Sequence, residues 1–195
     1  MSDIRDVSLR WLPTSVPATS PAILCVVGAK NSGKTTFIEA IVPLLKERGL
    51  RVGVLKHTHH EIEFDTKGKD SWRHAQAGAE QVALMTPSGV AFFDYRPVEI
   101  SPEEVIAAHF TRTDLVLIEG YKWSRFPKIE IYRTSISERP VCLEDTDLRA
   151  IVTDASFTSG VLSFSIGDWL TIGEFIVSLV RTAKNDRTPA RLRPE

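Results

Sequence analysis

Ile23-Leu24-Cys25-Val26-Val27-Gly28-Ala29-Lys30-Asn31-Ser32-Gly33-Lys34-Thr35-Thr36 is the stretch that decides the fold. Its first five residues are an uninterrupted apolar run, the pattern of a strand buried on both faces. Gly28 to Thr35 then spells Gly-x-x-x-x-Gly-Lys-Thr, the P-loop pattern, in which each residue type has a physical task. The glycines let the backbone turn so that successive N–H groups converge on an anion. The following helix adds the positive end of its dipole. Lys34 sets an ammonium between the outer phosphates of a triphosphate, Thr35 offers a hydroxyl to Mg²⁺, and Thr36 reaches the innermost phosphate. The spelling alone recurs by chance, but its position between an apolar strand and an amphipathic helix is the context the mechanism requires. Gly28, Lys30, Asn31, Ser32, Gly33, Lys34, Thr35 and Thr36 are therefore the nucleotide-binding candidates in the loop.

Outward from the loop, Phe37, Ile38, Ile41, Leu44 and Leu45 recur at helical spacing as far as Arg48, with Pro43 as a potential kink and Gly49 as the stop. Val52-Gly53-Val54-Leu55 reads as a second strand. Leu115-Val116-Leu117-Ile118 is a third, and it runs into Glu119-Gly120. A carboxylate at that strand end is the expected partner of Thr35 at Mg²⁺, or the orienter of an attacking water. Glu119 and Lys34 are thus the catalytic candidates, and Thr35 and Glu119 the metal candidates. A strand-capping role is the alternative for Glu119, and Asp114, just before the strand, is the weaker metal candidate.

Alternation over His60–Asp65 suits a short exposed strand, and Lys128–Tyr132 alternates as an edge strand would. A helix follows Asp70 and ends near Gly78, with strands at 81–85 and 90–93. Ser101-Pro102-Glu103-Glu104 is a helix start with a Ser cap. Late strands are expected at 150–152 and 161–164, and an amphipathic helix at 172–180. The fold class this order predicts is α/β: a mixed, mostly parallel P-loop sheet flanked by helices. Residues 1–20 read as an extension, 21–182 as the domain, and 183–195 as a basic, solvated tail.

The composition, 43% apolar and 25% charged with a net charge of −1, gives no electrostatic pull toward nucleic acid or an anionic membrane. No apolar run approaches the ~20 residues that span a bilayer. The first twenty residues lack the apolar block of a secretory signal, and Cys25 and Cys142 cannot build a disulfide framework. A cytoplasmic, reduced protein is the expectation.

Several further stretches are distinctive. They are Leu55-Lys56-His57-Thr58-His59-His60, Asp65-Thr66-Lys67-Gly68-Lys69-Asp70-Ser71, Ala77-Gly78-Ala79, Glu119-Gly120-Tyr121-Lys122, Phe126-Pro127-Lys128-Ile129-Glu130 and Thr153-Asp154. Together with the P-loop, over about Ile23 to Asp154, they resemble MobB, the molybdopterin-guanine dinucleotide biosynthesis adaptor family. The resemblance implies a GTP-binding adaptor with weak Mg²⁺-dependent GTPase activity. It also implies a homodimer that works beside the molybdopterin guanylyltransferase, with molybdopterin itself a possible ligand. Lys30 lies one position from the signature lysine of related metallochaperone GTPases and inherits no role from it.

Lys56, His57, Asp65, Lys69 and Asp70 are the switch or substrate-contact candidates. Metal binding by His57, His59, His60 and Asp65 is the other reading, but the spacing matches no zinc pattern, and Asp70 or Ser71 as a helix cap is the simple alternative. No Asn-Lys-x-Asp is present, so Asp154 is the candidate for the guanine N1–H and N2–H donors, with a loop cap as the alternative. No arginine is marked by a motif as a neutraliser of transition-state charge, and no glutamine follows Glu119, so hydrolysis should be slow. A P-loop small-molecule kinase, a metallochaperone-type GTPase and an interaction module with a vestigial loop are the competing functions. The two alternating segments could pair across a two-fold axis in a dimer.

Overall fold

Alternation along one strand sorts the whole core. In a computed structural model that describes residues 20–60, 62–156 and 160–186, strand β1 (Ala22–Val27) is the centre of a six-stranded sheet. Ala22, Leu24 and Val26 point to one face, where they meet Phe37, Ile38, Ile41 and Leu45 of helix α1 (Lys34–Glu47) and Ile172, Ile176 and Val180 of helix α4 (Trp169–Asp186). Cys25 and Val27 point to the other face, toward Ile106 of helix α3 (Pro102–His109). Each fully buried aliphatic side chain there is worth about 1.5–3 kcal/mol. Successive side chains on opposite faces are what the strand period of two requires.

The sheet order is β2-β5-β1-β6-β7-β8, with β2 at Val52–Lys56, β5 at Leu115–Glu119, β6 at Lys128–Tyr132, β7 at Leu148–Thr153 and β8 at Ser163–Ser165. Every neighbouring pair in it is parallel. The antiparallel component is a separate two-stranded sheet, β3 (Gln81–Thr86) with β4 (Gly89–Asp94). The α/β class and the parallel sheet flanked by helices are as expected. The chain divides into two compact units. One holds the described residues up to His57 and from Pro102 onward, and the other is Thr58–Ser101, which contains helix α2 (Asp70–Gln76) and the β3–β4 hairpin.

Several expectations need correction. Lys128–Tyr132 is not an edge: β6 lies between β1 and β7 and is buried along its full length. The described residues of 60–65 form no strand. The C-terminal helix continues to Asp186, so the first residues assigned to the solvated tail are helical. Residues 1–19 and 187–195 lie outside the described residues.

The misreading of β6 has a clear physical cause. Its charged positions are buried because they are paired. Lys128 Nζ donates to Ser124 O at 2.7 Å and Phe126 O at 3.2 Å, and meets Asp145 Oδ2 at 3.1 Å. Glu130 accepts from Val141 N at 2.6 Å and Cys142 N at 2.8 Å. Burial pushes the Glu130 carboxyl pKa up, and those two amides oppose the shift.

Candidate functional site

At β1 the strand order reverses, since β2 and β5 lie on one side and β6 to β8 on the other. In open α/β sheets such a switch point at the carboxyl ends of the strands is the place where a ligand fits. Gly28 leaves β1 with φ 141°, and Asn31 (φ 62°) and Gly33 (φ 99°) turn the loop into α1. An ideal Cβ on Gly28 would overlap the Ile131 carbonyl oxygen and come within 2.8 Å of Ser32 Oγ. Only a glycine lets the loop pass β6 so closely.

Inside the loop, Lys34 Nζ donates to Ala29 O at 2.7 Å and Gly28 O at 3.2 Å. Burial lowers the Lys34 pKa, and Glu119 opposes that shift. Ser32 is 1% exposed, and its Oγ is a buried hydroxyl with no hydrogen-bond partner among the described residues. Such an atom is costly in a finished core and fits a loop built around a ligand oxygen. Lys30, Asn31, Thr35 and Thr36 are exposed on the loop and the first turn of α1.

Glu119 stands beside the loop because β5 pairs with β1 in the register Val26↔Glu119 and with β2 in the register Lys56↔Glu119. Thr35 Oγ1 donates to Glu119 Oε1 at 2.9 Å, and Lys56 Nζ lies 3.6 Å from the same oxygen. Gly120 (φ 94°) follows, donating to Val26 O at 2.9 Å, and a Cβ there would sit 2.9 Å from His57 O. The His57 and Tyr121 rings meet with centroids 4.7 Å apart. Lys34, Thr35, Lys56, His57 and Glu119 thus converge at one end of the sheet. A hydroxyl and a carboxylate 2.9 Å apart are a donor set suited to a hard divalent cation such as Mg²⁺.

Other candidates lie elsewhere or have structural partners. Asp114 is at the opposite end of β5, held by Arg51 Nε at 2.9 Å and Lys184 Nζ at 2.9 Å, which removes it as a metal candidate. Asp65 accepts from Thr66 N at 2.7 Å and Ser71 Oγ at 2.9 Å. Lys69 is the N-cap residue of α2 without a side-chain cap bond, Asp70 is that helix's first residue, and Ser71 bonds Asp65 instead of capping. No group of three or more His, Cys, Asp and Glu side chains among the described residues could hold a metal. Asp154 Oδ1 accepts from Thr134 N at 3.1 Å, the loop-cap arrangement, yet Asp154 also lines a cleft of about 700 Å³ with Thr153, Ser156 and Ser165.

One residue at the loop was not visible in the sequence. Arg133 follows β6 directly, and its Nε donates to Ser32 O at 3.1 Å. An arginine therefore does stand at the loop although no motif marks it. Reading β6 as an edge strand hid it, because only a strand adjacent to β1 delivers its next residue to the loop.

Residues 23–154 match the family described as MobB, Molybdopterin guanine dinucleotide synthesis protein B. The chain belongs to this family. It is 39% identical over 134 residues to the molybdopterin-guanine dinucleotide biosynthesis adapter protein of Haemophilus influenzae, covering 68% of this chain and 74% of that one. It is 31% identical over 159 residues to the Escherichia coli adapter protein, covering 80% of this chain and 91% of that one. Among solved structures, Bacillus subtilis MobB superimposes with a TM-score of 0.64 at 31% identity, covering 80% of this chain and 96% of that one. The match reaches past β5 and β6 to Asp154, so the P-loop, Glu119 and Arg133 all lie within it.

Proposed function

We propose that this chain binds GTP with Mg²⁺ at the P-loop and acts as an adapter in molybdopterin guanine dinucleotide biosynthesis, with slow GTP hydrolysis. The observation that carries the nucleotide reading is the buried Ser32 hydroxyl, without a hydrogen-bond partner among the described residues, in a loop whose Lys34 and Thr35–Glu119 pair are already in place. The loop amides and Lys34 bind the phosphates, and Ser32 Oγ is available to a phosphate oxygen. Thr35 and Glu119 would hold Mg²⁺, which neutralises phosphate charge when bound. Glu119 accepts a hydrogen bond from Thr35 and orients it, and Asp154 reads the base from its cleft. Membership of the family and the adapter role of its relatives support this reading, with a guanylyltransferase as partner and molybdopterin as second ligand.

A homodimer is part of this reading, and the β3–β4 hairpin supports it. That hairpin exposes Leu84, Met85, Val90 and Phe92 on a sheet of only two strands among the described residues. Isolated two-stranded sheets are marginally stable, and exposed apolar surface of this kind is covered in working proteins. Light scattering should give twice the chain mass, and a monomer at micromolar concentration with GTP and Mg²⁺ would remove the dimer.

The central experiment is calorimetry with GTP, GDP and ATP on the parent and Lys34→Ala. The parent should prefer GTP, and folded Lys34→Ala should bind it at least about tenfold more weakly, the loss of a charge-assisted contact. Unchanged GTP affinity in the folded variant, or no GTP binding by the parent, defeats the reading. Product analysis with and without molybdopterin separates it from the kinase alternative.

A further inference from the structure

The Ser32 carbonyl that Arg133 holds belongs to the peptide linking Ser32 to Gly33. In a trans peptide the C=O and N–H point in opposite directions. Fixing the carbonyl toward Arg133 therefore aims the Gly33 N–H away from Arg133. The guanidinium also lies close beside Gly33: an ideal Cβ there would sit 3.5 Å from Nη2 and 3.6 Å from Nε, ordinary van der Waals distance.

The next residue turns the other way. Thr134 N donates to Asp154 Oδ1 at 3.1 Å, and its Oγ1 lies 3.4 Å from the same oxygen. Arg133 O accepts from Ile136 N at 3.0 Å and Ser137 N at 3.2 Å, which fixes the turn from which both contacts are made. Two consecutive residues after β6 thus tie the P-loop on β1 to the loop after β7, across the strand between them.

We propose that Arg133 is a positioning residue that sets the P-loop peptide planes and, with Thr134, couples them to the Asp154 loop, so that base selectivity depends on a side chain that touches no base. The inference rests on the nucleotide reading above. Arginine suits the task because its planar fork donates in a fixed direction, which the freely rotating lysine ammonium does not. Charge on the donor strengthens the bond to Ser32 O, and no bond from the Ser32 hydroxyl among the described residues competes to set that residue's orientation.

The test measures inorganic tripolyphosphate, GTP and ATP affinities with Mg²⁺ for the parent, Arg133→Ala and Arg133→Lys, alongside thermal melting. Tripolyphosphate reports the loop without a base. Arg133→Ala should bind it roughly tenfold more weakly, the scale of one lost charged hydrogen bond. Its GTP-to-ATP affinity ratio should fall severalfold as well. Arg133→Lys should share both defects despite keeping the charge, and millimolar guanidinium should recover part of the affinity of Arg133→Ala. If Arg133→Ala does not fold, Arg133→Lys carries the same two expectations. Unchanged tripolyphosphate affinity, or an unchanged GTP-to-ATP ratio, in a folded variant overturns the proposal while the parent's GTP binding keeps the nucleotide reading intact. A parent that binds neither tripolyphosphate nor GTP overturns both.

Discussion

Gly28→Ala tests whether the proposed phosphate cradle is shaped by a single missing methyl group. At φ 141° a Cβ overlaps the Ile131 carbonyl oxygen of β6 and approaches Ser32 Oγ to 2.8 Å. The serine hydroxyl can rotate away, but the carbonyl is fixed in a central strand of the sheet. Two costs add: backbone strain of about 1–3 kcal/mol and overpacking of about 1–3 kcal/mol, together about 2–6 kcal/mol. Gly49→Ala is the internal control, because Gly49 has φ 82° and no atom of the described residues within 4 Å of its Cβ position, leaving only strain. Against a total stability of about 5–15 kcal/mol, the Gly28 change is severe and the Gly49 change mild. Urea unfolding at constant m should give a midpoint for Gly28→Ala well below that of Gly49→Ala, with a Tm roughly 5–20 °C below the parent. GTP binding should be lost only in the first. If Gly28→Ala is as stable as Gly49→Ala and still binds triphosphate, the close passage of the loop past β6 does not govern the site.

Glu119→Gln should slow GTP hydrolysis on the order of tenfold while moving GTP affinity little, because a carboxylate in the proposed role acts mainly on the transition state; equal turnover at saturating Mg²⁺ would refute the assignment. Arg51 and Lys184 hold the Asp114 carboxyl below the usual carboxylate range, so its contribution is present above the unfolded pKa of about 4 and is lost as pH falls further. Asp114→Asn should therefore cost stability near neutrality, on the order of 1 kcal/mol for so accessible a cluster, and the difference from the parent should vanish in acid denaturation series. Burial raises the pKa of both thiols, Cys142 to about 11 with Glu130 adding to the shift. A chromogenic disulfide reagent should leave both cysteines unreacted in the native protein and titrate both in urea; rapid native labelling would contradict the packing.

The P-loop was legible because its information is local: strand, turn glycines, lysine and hydroxyl are contiguous, and the pairing of Thr35 with Glu119 follows once β5 lies beside β1. Lys128–Tyr132 was not legible. Charged and apolar residues alternate identically in an exposed edge and in a central strand whose charges are paired, and the partners of Lys128 and Glu130 lie elsewhere in the chain at Ser124, Phe126, Val141, Cys142 and Asp145. Losing that placement also lost Arg133. Asp114 failed for a simpler reason: a parallel strand has two ends, and a carboxylate before β5 is a strand length from the loop. The described residues of 60–65, none of them in a strand, show that alternation alone is not enough to make one.

The charged alternation of β6 has a consequence for how the sheet assembles. Shifting a strand by one residue against its neighbours exchanges its two faces. A slipped β6 would carry Lys128 and Glu130 into the layer occupied by Ile129 and Ile131, among the aliphatic side chains of α1 and α4, with every present partner out of reach. Each stranded charge would cost several kcal/mol, a large part of the stability of the whole domain. The two residues therefore work as the wards of a lock. They contribute little to holding the strand in place that a pair of leucines could not, but they admit it in one alignment only, and that alignment is the one that delivers Arg133 to the loop.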